Sequence, residues 1–91
     1  MTYDVRVTSD VVDDVSATAS TWTEVRACVG NAVEVALGTL PPGKGHLAYA
    51  EDVMPLNMSL TSGEVEQEVE AQGWYRVAFQ SVPLTVTITK R

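Results

Sequence analysis

Residues 21–38, TWTEVRACVGNAVEVALG, decide the fold. Thr21 and Glu24 have the spacing of a capping box: the threonine hydroxyl accepts from the N–H of Glu24, and the glutamate reaches back to the N–H of Thr21. Trp22, Val25, Val29, Ala32, Val33 and Ala36 recur at the spacing of one helical face. Gly38 is placed to end the helix in a left-handed conformation, and Pro41-Pro42 cannot continue it. A β-hairpin competes for the same residues. Gly30-Asn31 is a two-residue hairpin signal, and valine, a good strand former, flanks it on both sides. Pairing across that turn mixes charge with apolar residues on both faces, so the helix is preferred. Gly30 costs a helix about 1 kcal/mol relative to Ala, a cost that close packing against another element would explain.

Upstream, residues 3–8, YDVRVT, alternate strictly and predict a strand with Tyr3, Val5 and Val7 inward. Val15, Ala17 and Ala19 alternate as a second short strand would, with a surface loop as the rival reading. Downstream, residues 39–46, TLPPGKGH, form a loop by composition. Residues 47–50 and Leu56, Met58 and Leu60 are read as short strands, divided by Pro55. Residues 61–73 predict an acidic surface helix: Thr61 and Glu64 repeat the capping-box spacing, Gly73 supplies a stop, and glutamate favours helix over strand. The segment also alternates, so a strand remains the competitor there. Residues 74–80, WYRVAFQ, give a strand with Tyr75, Val77 and Phe79 inward. Leu84, Val86 and Ile88 alternate with Thr85, Thr87 and Thr89 in the last one.

The expected architecture is a single α+β domain over residues 1–91. It has two layers, with two helices (about 21–37 and 62–72) on a mainly antiparallel sheet. A βαββαβ-like order is one candidate; a small all-β sandwich is the alternative.

Chemistry is sparse. Twelve Asp and Glu against six Lys and Arg give a formal net charge of −6. That disfavours nucleic acid and anionic membranes, both of which require clustered cations, and permits a basic protein partner. Cys28 is the lone cysteine, so no internal disulfide forms; it reads as a small hydrophobe rather than a nucleophile paired with His46. Asp10, Asp13 and Asp14 lack the ligand spacing and turn glycine of a calcium loop. Gly43-Lys44-Gly45 lacks the spacing and following hydroxyl of a phosphate loop. No catalytic residue, metal ligand or cofactor is assigned, and an enzyme is not expected.

The leading expectation is a non-catalytic protein-binding module, a small acidic inhibitor, adaptor or regulator. Its candidate partner-binding residues are Glu64, Glu66, Glu68 and Glu70, with Trp74 and Tyr75 as aromatic anchors. The alternative is a structural subunit of a repeating assembly such as a virion or tail component. The threonine-rich strand Leu84–Thr89 is then an edge for homo-oligomer pairing. Residues 1–10 carry no apolar signal-peptide core, and no apolar run reaches the roughly 20 residues of a membrane span. The expected location is cytoplasmic, or the virion under the alternative.

Overall fold

A strand with one valine face and one polar face needs a layer to cover the valines, and two amphipathic helical regions supply it. In the computed structural model, residues 2–9, 14–38, 49–80 and 83–91 are described. β1 (Tyr3–Ser9) and β2 (Val15–Ala19) precede helix α1 (Trp22–Leu37). A π-helical turn (Tyr49–Val53) leads into α2 (Met54–Ser62) and α3 (Glu64–Gln72). β3 (Trp74–Ala78) and β4 (Leu84–Lys90) follow. The sheet order is β2-β1-β4-β3, antiparallel throughout.

The α+β two-layer reading holds, with both readings as strand at residues 21–38 and 61–73 set aside. Among the described residues the order of strands and α-helices is ββαααββ rather than βαββαβ. The inward side chains line up across the strands in rows. One runs Ala17–Val5–Ile88–Tyr75, the next Val15–Val7–Val86–Val77. Val5, Val7, Val86 and Ile88 are fully buried in one core cluster with the inner faces of all three α-helices. Among the described residues no helix packs on the opposite sheet face, which is open.

α1 starts as its sequence indicates. The Glu24 N–H donates to Thr21 Oγ1 at 3.2 Å. The Glu24 carboxylate, however, accepts from the N–H of Ser20 at 3.0 Å, one residue earlier than the capping box requires. Val25, Val29, Ala32, Val33 and Ala36 are buried. Trp22 packs edge-on to Tyr3 with ring centroids 5.8 Å apart, and its Nε1–H donates to the Leu60 carbonyl at 3.4 Å. Cys28 is half-buried against the core. Gly38 ends the helix in a right-handed conformation (φ −64°), not a left-handed one.

Gly30 is not needed for close packing. A Cβ built there meets nothing within 4 Å among the described residues, and its φ is not positive. The Gly30→Ala variant is therefore expected to gain about 0.5–1 kcal/mol, by lowering unfolded-chain entropy and raising helix propensity. Urea unfolding measures this; a lowered midpoint would mean that an element packs on Gly30 after all.

The largest departure lies at residues 49–62. Residues 49 and 50 belong to the π-helical turn, and Leu56, Met58 and Leu60 lie in α2, not in a strand. Pro55 sits in the first turn of α2, where its fixed φ is compatible with the helix. Leu56 and Leu60, four apart, are buried, while Met58 is 70% exposed. Gly63 (φ 89°) then reverses the backbone between α2 and α3, so Thr61 lies inside α2 and makes no capping box with Glu64. Gly73 (φ 88°) is the left-handed stop of α3, its N–H donating to the Val69 carbonyl at 2.8 Å.

The C-terminal strand is also repositioned. β4 is flanked by β1 and β3, so Leu84–Thr89 is internal, and among the described residues the edges are β2 and β3. Residues 10–13 and 39–48 lie outside the described residues, and with them Asp10, Asp13, the Gly43–Gly45 loop and His46.

Candidate functional site

Val65 and Val69 anchor α3 in the core, and helical geometry then divides its glutamates between two flanks. Glu66 and Glu70 face Tyr3 on β1; Glu64 and Glu68 face Tyr75 on β3. The flanks differ in what their carboxylates already do.

Glu70 is engaged within the molecule. Tyr3 Oη–H donates to its Oε1 at 3.0 Å, and Lys90 Nζ makes an ion pair with its Oε2. Tyr3 and Lys90 are cross-strand neighbours, so one carboxylate ties the end of α3 to β1 and β4. The hydrogen bonds from Lys90 and then Tyr3 hold the Glu70 carboxyl below the ordinary glutamate value. Burial first, and then the Glu70 carboxylate, raise the Tyr3 phenol.

The sign of the linkage follows. A lowered carboxyl contributes stability above the unfolded value, about 4.3, and loses it as pH falls through the lower native value. The native chain is expected to lose stability over that window, and Glu70→Gln to flatten this limb. A raised phenol acts at the other end: its contribution is present below about pH 10 and is lost as pH rises through the native value. Thermal melts across pH check both limbs; an acid limb unchanged by Glu70→Gln would remove Glu70 from this role.

Glu64 and Glu68 are exposed, one helical turn apart. Among the described residues neither is in an ion pair. Tyr75 beside them is half-buried, and its phenol is raised by burial first, then by Glu68 and Glu64. Trp74 does not join this group. Successive strand residues point to opposite faces, so Trp74, 48% exposed, projects from the open sheet face while Tyr75 faces α3. Of the six candidate residues, Glu64, Glu68 and Tyr75 come together. Glu66 and Glu70 lie on the other flank, and Trp74 lies across the sheet.

Two features had no signal in the sequence pattern. Asp52, buried in the π-helical turn, accepts from the Gln80 N–H at 2.8 Å and so closes the end of β3. On the open face, Arg6 and Arg76 flank Thr87 in one cross-strand row that begins at Ser16. Residues 70 positions apart meet there only because β4 lies between β1 and β3.

Among the described residues no group of three or more His, Cys, Asp or Glu is gathered closely enough to hold a metal ion. No helix among them is long and apolar enough to cross a membrane. Comparison of the chain with protein-family models, curated proteins and solved structures gives no match.

Proposed function

We propose that the chain is a non-catalytic protein-binding module, an inhibitor, adaptor or regulator that meets a basic patch through Glu64, Glu68 and Tyr75. The observation that carries this reading is the pair of exposed carboxylates one turn apart beside a half-buried phenol. Like charges four apart cost a helix about 0.2–0.5 kcal/mol. A Lys or Arg placed between them removes that repulsion and gains two charge-assisted hydrogen bonds. Tyr75 adds an apolar body with a polar tip, the kind of side chain that anchors interfaces. Exposed glutamates also keep proteins soluble, and the two roles separate experimentally.

The test is the affinity of a short Lys/Arg-rich peptide for the native chain, for the Glu64→Gln, Glu68→Gln pair and for Glu66→Gln. The double variant is expected to bind about tenfold more weakly, the loss for two partly exposed pairs. Glu66→Gln is expected to change little. Equal affinity for native and double variant rejects the role of this flank.

The second reading, a structural subunit of a repeating assembly such as a virion or tail component, draws on the sheet edges. Among the described residues, β2 and β3 each have one unpaired side, a template for strand pairing between copies. The homo-oligomer contact proposed for the C-terminal part of the chain moves from Leu84–Thr89 to β3. Light scattering that finds a clean monomer over a wide concentration range counts against it.

A further inference from the structure

The open sheet face has the opposite chemistry to the helical flank. Arg6 and Arg76 are both exposed and project from one row, two strand spacings or about 10 Å apart. Among the described residues neither guanidinium is paired with a carboxylate. Asp4, next along β1 on the same face, is held in an ion pair by Arg91. In a chain with six more acids than bases, two arginines share one row with, among the described residues, no acid between them. Thr87 separates them, and Thr85 and Thr89 stand on either side of it along β4. The surface is a shallow concavity open to solvent, with Trp74 on the adjoining row.

Guanidinium forks match carboxylates bidentately, and threonine hydroxyls donate to the remaining carboxylate oxygens. Charge complementarity thus selects an anionic occupant. A polynucleotide fits poorly: stacking demands a series of aromatics, and Trp74 stands alone among the described residues of this face. We propose that the open sheet face docks a carboxylate-rich segment of a partner protein, held by Arg6 and Arg76 across Thr87. This surface is independent of the Glu64–Glu68 flank, and together they make the chain a two-faced adaptor.

The experiment is a titration of the isotopically labelled chain with a short alternating Asp/Glu peptide at low salt, read by backbone chemical shifts. Shifts are expected at Arg6, Arg76 and Thr87, and not on α3. The Arg6→Gln, Arg76→Gln pair is expected to bind about tenfold more weakly, and Arg6→Lys, Arg76→Lys to recover part of the loss. Both side chains are exposed, so an unchanged urea midpoint certifies that the variants fold. Unaltered affinity in the glutamine pair, or shifts confined to other surfaces, overturns the proposal. So does tighter binding of an oligothymidylate than of the peptide, or self-association that the glutamine pair abolishes, which would assign the face to a second copy.

Discussion

Ile88→Ala is expected to lower the unfolding free energy by about 3–4 kcal/mol, within the range for deleting a large aliphatic side chain from a closed core. Ile88 is fully buried on β4, between Val5 of β1 and Tyr75 of β3. Both neighbouring strands hold the backbone around it, so the site has little freedom to collapse into the cavity. Domains of this size carry about 5–15 kcal/mol in total, so the loss is a large fraction of the whole. Val35→Ala serves as the contrast. Val35 is 59% exposed on α1 and its replacement is expected to stay within about 0.5 kcal/mol of the native chain. Urea unfolding of both variants measures the difference; a loss below about 1 kcal/mol for Ile88→Ala would mean β4 is not at the centre of the sheet.

The second large effect separates helix from strand at residues 54–62. Leu60→Ala is expected to cost about 3 kcal/mol and Met58→Ala almost nothing. Leu60 is 2% exposed and Met58 70%. A strand would put Leu56, Met58 and Leu60 on one face and make the two losses comparable. A helix puts only Leu56 and Leu60 together. Comparable losses would therefore reinstate the strand.

That contrast also explains where the sequence was ambiguous. Leu56 and Leu60 satisfy a period of two and a spacing of four at once, so the pattern alone cannot separate the templates. Pro55 reads in the sequence as an interruption between strands, whereas it lies in the first turn of α2. By contrast, β1, β3 and β4 alternate over five to seven residues with aromatic and β-branched side chains, a pattern helices do not share. α1 carried both a capping residue and a continuous apolar stripe. The acidic helix was readable from glutamate propensity and Gly73, although its cap was not, because a positive-φ glycine joins it to α2.

Strand order was not legible. An exposed threonine face does not make an exposed edge, because side chains stand perpendicular to the sheet while pairing occurs within its plane. Thr85, Thr87 and Thr89 face outward on a strand whose two edges are both occupied. The candidate site was legible in its glutamates and in Tyr75. The separation of Trp74 from Tyr75 follows from the alternation of adjacent strand residues. The engagement of Glu70 by Tyr3 and Lys90 depends on contacts 67 and 20 residues apart, which no local pattern encodes. The Arg6–Thr87–Arg76 row depends likewise on the sheet order.

The most direct test of the proposed binding role is a chemical-shift map of the native chain titrated with the Lys/Arg-rich peptide. Perturbations concentrated at Glu64, Glu68 and Tyr75, absent from Glu66 and Glu70 and lost in the Glu64→Gln, Glu68→Gln pair, are the predicted result. Perturbations spread evenly over every exposed carboxylate, and unchanged in that pair, would contradict it.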